Sequence, residues 1–335
     1  MPTIEIPAAK TSYNCPPDDT ILRAGLRAGL GMAYECNVGS CGNCRFELIE
    51  GQVESLYPDA PGLQERDKAR NRHLGCQSRA LTDCKIKVPL REDYKARIIP
   101  RQTHGELIAV EELTHDIREF RFRLETPNPF LPGQYGLIGV PGVHGARAYS
   151  QCNVTSTGEE WHFQIKKMPN GKASGALFDQ MKIGAHVSLD GPFGNAFLRE
   201  DSPRDILCIA GGSGLSPMIS IARAVSQSPG LRQRKLVFVY GCRSRRDLAG
   251  ESLLRELPGF GTTIFYHAVL SHATEEDAWT GWSGFAHEAA RDIVGGKVAD
   301  YEIYFAGPPP MTEAVMRMAI ENKAPVTQLH YDRFY

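Results

Sequence analysis

Three cysteines in one short loop constrain this chain more than any other feature. Cys36, Cys41 and Cys44 stand at C-x4-C-x2-C spacing, and further cysteines follow downstream at Cys76 and Cys84. Three thiolates from one tight turn and a fourth from a distant segment can wrap a compact dinuclear [2Fe–2S] cluster, and this is the spacing such clusters use. Gly39 and Gly42 let the loop backbone turn and aim N–H groups at sulfur. A structural zinc site, or a redox-active Cys41-x-x-Cys44 pair, is the competing reading, although structural zinc usually takes its ligands as two paired sets. Cys15, Cys152, Cys208 and Cys242 are scattered and read as core or incidental positions. Nine cysteines, an odd number, behind a start (MPTIEIPAAK) with neither a basic segment nor an apolar run point to a reduced, cytoplasmic setting.

A length of 335 residues exceeds what one core usually organises, so two or three domains are expected. No run approaches the roughly 18 apolar residues of a membrane span, and a net charge of −1 gives no reason to expect nucleic acid. Texture divides the chain at 1–97, 98–202 and 203–335. The first part mixes β-like runs (Arg45 to Ile49, Lys85 to Val88) with a helical stretch, Thr20 to Leu30, as a small α+β unit. A charged linker, Arg91 to His104, follows. Short strands punctuated by Pro and Gly (Leu107 to Val110, Glu119 to Leu124, Tyr135 to Val140, Trp161 to Lys166, His186 to Leu189) then read as an antiparallel barrel or sandwich, interrupted by a helix near Ser174 to Met181. In the last part, apolar runs at Ile206, Leu236, Ile264 and Ile303 alternate with helical stretches (Ser216 to Val225, Met311 to Asn322), the pattern of a parallel α/β sheet.

The middle part carries Gly133-Gln134-Tyr135, then Arg147-Ala-Tyr149-Ser150, then Gly171-Lys172-Ala173-Ser174. Each is weak alone, since any barrel strand can show an exposed Arg and a packed Tyr. In this order they resemble the FAD-binding barrel of the ferredoxin–NADP reductase superfamily. The chemistry fits: Arg147 offers a planar fork to a pyrophosphate, and the helix start at Gly171 to Ser174 offers backbone amides. The resemblance nominates Tyr149 as the flat neighbour of an isoalloxazine and Ser150 as the hydroxyl near its N5.

The last part opens with a buried strand running into Gly211-Gly212-Ser213-Gly214-Leu-Ser-Pro217 and then a helix, a geometry that seats a pyrophosphate on the helix N-terminus. Pro217 stands where the dinucleotide fingerprint has Gly or Ala, and with it the run matches the G-G-[ST]-G-x-x-P form of the same superfamily. Gly307-Pro308-Pro-Pro-Met311 supplies the second expected element, with Ala306 where a cysteine is often found. After the strand Leu236 to Tyr240, Arg243, Arg245, Arg246 and Asp247 stand where an adenosine ribose is expected, and their mixed charge does not choose between NADH and NADPH. The chain ends in aromatics; the resemblance nominates Tyr335, with Phe334 as alternate, to cover the flavin until the nicotinamide displaces it.

Taken from end to end, the chain resembles the reductase components of bacterial multicomponent oxygenases, above all the groups serving toluene 4-monooxygenase and carbazole dioxygenase. That resemblance implies a β-grasp plant-type ferredoxin domain, a Greek-key FAD barrel and an α/β NAD domain. Cys36, Cys41, Cys44 and Cys76 then become the cluster ligands, because His73-Leu-Gly-Cys76-Gln matches the ferredoxin pattern, and Cys84 becomes a small buried hydrophobe. It further implies NADH as electron source, and a Rieske ferredoxin or a terminal oxygenase or hydroxylase component as acceptor. Two alternatives carry the same motifs: a reductase for another acceptor, such as a sugar-deoxygenation enzyme, and a non-enzymatic redox sensor.

Overall fold

The computed structural model describes residues 1–334 apart from the side chain of Glu276, so Tyr335 lies outside the described residues. The chain forms two compact units, Met1–Gln102 with Asp190–Phe193, and Thr103–Leu189 with Gly194–Phe334.

The first unit contains strands β1 (Thr3–Ile6), β2 (Thr11–Asn14), β3 (Arg45–Glu50), β4 (Val53–Ser55), β5 (Arg72–Leu74), β6 (Ser78–Ala80) and β7 (Cys84–Lys87), with helices α1 (Ile21–Arg27) and α2 (Glu65–Lys68). One sheet runs β2-β1-β7-β3-β5, with β1 and β7 parallel and the other pairs antiparallel, while β4 and β6 pair separately. Helix α1 starts where the Thr20 hydroxyl accepts the Arg23 N–H at 3.3 Å, and it buries Ile21, Leu22 and Leu26. It is shorter than its apolar pattern. Gly29 turns left-handed (φ 77°) and Leu30 N–H returns to Gly25 O at 3.0 Å, the closure that ends a helix.

The second sheet is built from β8 (Arg101–Glu112), β9 (Ile117–Leu124), β10 (Tyr135–Gly139), β11 (Arg147–Ser150), β12 (Glu160–Lys166) and β13 (His186–Phe193), in the order β11-β10-β13-β8-β9-β12. The strand β8 begins inside the segment expected to be a linker. An antiparallel bridge between Gln151 and Phe163 joins the two edges, so the sheet closes into a barrel and leaves no open strand. Leu107, Phe120, Phe122, Trp161 and Phe163 fill it, and the Trp161 indole donates to Asn128 O at 2.8 Å. Helix α3 (Lys172–Asp179) lies against this core.

The third sheet runs β17-β16-β15-β14-β18-β19 and is parallel throughout: β14 (Asp205–Gly211), β15 (Leu236–Cys242), β16 (Ile264–Leu270), β17 (Trp282–Ser283), β18 (Tyr301–Gly307) and β19 (Leu329–Arg333). Helices α4 (Leu215–Gln227) and α5 (Glu251–Arg255) cover one face, and α6 (Ala286–Ile293) and α7 (Pro309–Glu321) the other. Leu329–Arg333, just before the terminal aromatics, forms the edge strand β19. His330 stacks on Tyr304 (4.9 Å between ring centres) and bonds the Glu302 carboxylate at 2.6 Å, while Tyr331 stacks on Phe305 at 5.1 Å.

Candidate functional site

The cysteine loop is a cradle of backbone N–H groups. Cys41 N–H donates to Cys36 Sγ at 3.3 Å and Asn43 N–H to Cys41 Sγ at 3.4 Å. Cys44 and Cys76 sulfurs lie 3.4 Å apart, both buried, so the structure brings Cys76 to the loop. Cys84 is elsewhere: its thiol donates to Thr82 O at 3.2 Å. A hydrogen bond from the Cys41 thiol, aided by loop amides, lowers the pKa of the Cys36 thiol. Gly39 (φ 89°) and Gly42 (φ 77°) make the turns, and a segment not singled out for chemistry locks them. Gly62 N–H donates to Gly39 O at 2.9 Å, and a Cβ on Gly62 would stand 2.6 Å from Gly42 N. Asn37, left-handed (φ 56°) and 2% exposed, has a buried side-chain amide without a hydrogen-bond partner among the described residues. Four gathered thiols, inward N–H groups and a polar orphan beside them fit an iron–sulfur cluster.

Around the barrel, Gly133 (φ 101°) packs so closely on Ala196 O that no side chain fits. The buried Gln134 side chain is spent inside the protein, accepting Leu131 N–H at 2.8 Å and donating to Gly194 O at 3.3 Å; Tyr135 beside it is buried. Arg147 is exposed and its guanidinium folds onto the carbonyls of His144, Gly145 and Ala146. Tyr149 is half-buried, and burial pushes its phenol up to about 12, so it stays neutral. The Ser150 hydroxyl has no hydrogen-bond partner among the described residues. At the start of α3, Lys172 is exposed and Ala173 buried, and Ser174 Oγ accepts Met168 N–H (3.1 Å) and lies 3.4 Å from Gly171 O. Gly171 caps α3 without a side-chain bond, which leaves first-turn amides for an anion.

The two glycine turns of the parallel sheet abut. A Cβ on Gly214 would overlap the Ala306 carbonyl, one on Gly211 would meet Met311, and one on Gly307 would stand 3.3 Å from Gly211 O. Gly212 is left-handed (φ 56°), Ser213 is half-buried, Pro217 sits buried in α4, and Pro308 caps α7. In the turn after β15, where a ribose is expected, Asp247 closes a capping box, accepting Ser244 N–H at 2.9 Å and Ser244 Oγ–H at 2.8 Å. Burial works to raise its pKa, but those bonds hold the carboxyl below its usual range. Arg243, Arg245 and Arg246 are exposed, and Arg245 donates to Asp277 O at 2.9 Å. Phe334 N–H donates to Gly307 O at 3.0 Å, and its ring packs against the α4 side of the sheet.

The barrel and the parallel sheet meet along a seam of hydrogen bonds that no motif announces. On α4, Ser216 Oγ donates to Ser150 O at 2.6 Å, Ser220 Oγ to Asn153 O at 2.7 Å and Arg223 Nη1 to Cys152 O at 2.9 Å. These side chains recur at helical spacing, which is the faint signal the sequence holds.

Comparison with known proteins agrees with this geometry. Residues 5–81 match the 2Fe-2S iron-sulfur cluster binding domain, 104–197 the oxidoreductase FAD-binding domain and 208–317 the oxidoreductase NAD-binding domain. The chain is 38% identical over 334 residues, 96% of each chain, to the ferredoxin–NAD(P)(+) reductase CarAd of Metapseudomonas resinovorans. It is 34% identical to the ferredoxin–NAD(+) reductase component of the alkene monooxygenase system of Xanthobacter autotrophicus, covering 96% of this chain and 98% of that one. The solved ferredoxin reductase in carbazole 1,9a-dioxygenase superposes with a TM-score of 0.92 at 36% identity, covering 100% of this chain and 98% of that one. The chain therefore belongs to the ferredoxin–NAD(P)(+) reductase components of multicomponent oxygenase systems, with a [2Fe–2S], an FAD-binding and an NAD-binding domain in that order.

Proposed function

We propose that the chain oxidises NADH and passes single electrons to a Rieske ferredoxin or a terminal oxygenase or hydroxylase component acting on aromatic or other hydrocarbons. The observation that carries this is the seam: α4 leaves the Gly211–Gly214 turn and is hydrogen-bonded to the strand that bears Ser150, so the dinucleotide and flavin motifs share one compact unit. When bound, the nicotinamide supplies a hydride, the flavin parts the electron pair, and the cluster releases electrons singly.

Cys36, Cys41, Cys44 and Cys76 would hold the iron. The Gly211–Gly214 amides and the start of α4 would hold the dinucleotide pyrophosphate. Ser150 would offer its hydroxyl to a flavin beside Tyr149, and Arg147 would have to leave its own turn to reach a phosphate. Phe334, next to the Gly307 turn, or Tyr335 would cover the flavin. Relatives named as reductase components of phenol, propane and naphthalene oxygenase systems support an oxygenase acceptor. No described helix is long and apolar enough to cross a membrane, and we place the protein in the cytoplasm, where its thiols stay reduced.

The test is anaerobic NADH titration of the purified protein, followed by optical and paramagnetic-resonance spectra with iron and sulfide analysis. Bleaching of flavin and cluster together, then NADH-driven reduction of an added Rieske ferredoxin, is expected. Zinc in place of iron and sulfide, or a flavin that NADH does not reduce, would overturn the reading.

A further inference from the structure

We propose that Ser216 is a positioning residue for hydride transfer: its hydroxyl is built into the barrel seam, so the first turn of α4 sets where Ser150 stands. This deepens the function proposed above and rests on it.

In the seam Gln151 faces Phe163, and one step along, Cys152 N–H donates directly to His162 O at 2.8 Å. An antiparallel ladder calls for the matching bond on the other side, from Gln164 N–H to Ser150 O. The Ser216 hydroxyl joins this rung. Gln164 N–H donates to Ser216 Oγ at 3.2 Å, and Ser216 Oγ donates to Ser150 O at 2.6 Å. A serine hydroxyl can be acceptor and donor at once. With Ser216 only 2% exposed and Gln164 equally so, the relay sits away from bulk solvent. The Ser216 oxygen thereby ties both strands, at the rung that carries Ser150, to the first turn of α4.

Ser216 is also fixed from the other side. It lies two residues after Gly214, whose missing side chain lets the turn abut the Ala306 carbonyl. The residue that bonds to both strands is thereby tied to the turn that would hold the dinucleotide. Ser220 and Arg223 bond the carbonyls of Asn153 and Cys152, beyond the end of β11, so they dock α4 without touching Ser150. Docking and positioning are separable by mutation.

Without the Ser216 oxygen, the Ser150 carbonyl loses its bond to the first turn of α4, and Ser150 is free to shift. A shift of about 1 Å at a reacting group can slow a reaction on the order of 100-fold. The experiment compares Ser216→Ala, Ser216→Thr and Ser220→Ala in the full holoenzyme. FAD content, iron content and visible circular dichroism of the bound flavin are measured beside stopped-flow flavin reduction by NADH. Ser216→Ala should keep its FAD and iron, change the flavin dichroism, and slow the limiting rate of flavin reduction by about tenfold or more with KM for NADH within about twofold. Ser216→Thr should restore both signals, and Ser220→Ala should leave both as in the wild type. Wild-type dichroism and rate in Ser216→Ala, or an equal loss in Ser220→Ala, would overturn the proposal. If Ser216→Ala does not hold FAD, Ser216→Cys, with a longer and weaker donor, replaces it under the same two criteria. Failure of NADH to reduce the wild-type flavin would instead strike the proposed function, before any variant is compared.

Discussion

Cys41 is half-buried whereas Cys36, Cys44 and Cys76 are buried, which makes it the cluster cysteine whose replacement disturbs the core least. Cys41→Ser should spare NADH-driven reduction of dyes that take electrons at the flavin, and abolish reduction of one-electron protein acceptors such as cytochrome c. Parallel loss of both activities in a folded, flavin-loaded variant would contradict an order of transfer that ends at the cluster. The cysteine loop was legible because its spacing is local and chemically narrow, whereas Cys76 was chosen on resemblance and the structure brings it to Cys44. Gly62 and Asn37 were not, since their importance comes from what they touch: Gly62 matters through the backbone of Gly39 and Gly42, and Asn37 through a buried amide left without a protein partner. Ser216 occupies a position of the glycine motif that the pattern leaves free, and its hydrogen-bond partner lies 66 residues away in sequence. Asp247 marks the converse case. Its charge in the ribose turn suggests a reader of NADH, but its carboxylate closes a capping box with Ser244.

Elements follow the same division between local pattern and tertiary contact. The turn from β14 into α4 was readable from Gly211 to Pro217, and its steric basis gives a sharp expectation. Gly214→Ala would drive a Cβ into the Ala306 carbonyl and part the two glycine turns. Overpacking of this kind costs about 1–3 kcal/mol, so KM for NADH should rise about tenfold while FAD and iron contents stay unchanged. Steady-state dye reduction with parallel cofactor analysis checks it. The edge strand β19 was missed because Leu329–Arg333 mixes His, Asp and Arg with apolar residues, and its place depends on Tyr304, Phe305 and Glu302 of β18. Glu302 accepts from His330 at 2.6 Å and Ser202 at 2.7 Å. Burial works to raise its pKa, but these bonds outweigh it and hold the carboxyl below the usual range. A depressed carboxyl contributes stability above its unfolded value of about 4.3 and loses it as pH falls through the folded one. Glu302→Gln should therefore flatten the acid limb of melting temperature against pH below about 4.3, and cost about 1–3 kcal/mol at pH 7. An unchanged acid limb would remove Glu302 from the account of acid stability.

At the scale of the molecule, the order of cluster, flavin and nicotinamide regions was readable because each part carries its own periodicity and motif. The contact structure was not. The barrel and the parallel sheet form one unit, bound by the α4 seam, whereas the cysteine loop belongs to the other. This division predicts where each cofactor's stabilisation appears. The first unit carries four gathered thiols and the buried, unpartnered Asn37 amide, so binding of the cluster contributes to its folding directly. All four proposed ligands, Cys36, Cys41, Cys44 and Cys76, lie in the first unit. Calorimetry of the holoprotein should show two transitions, and removal of iron and sulfide should lower only one of them. For a domain of 60–100 residues each kcal/mol lost shifts the midpoint by about 4–8 °C, so a drop of at least about 8 °C is expected if the cluster contributes about 2 kcal/mol or more. Added FAD should raise only the other transition. A single transition that moved with both cofactors would show that the units unfold together, and the assignment of iron-linked stability to the first unit alone would fall.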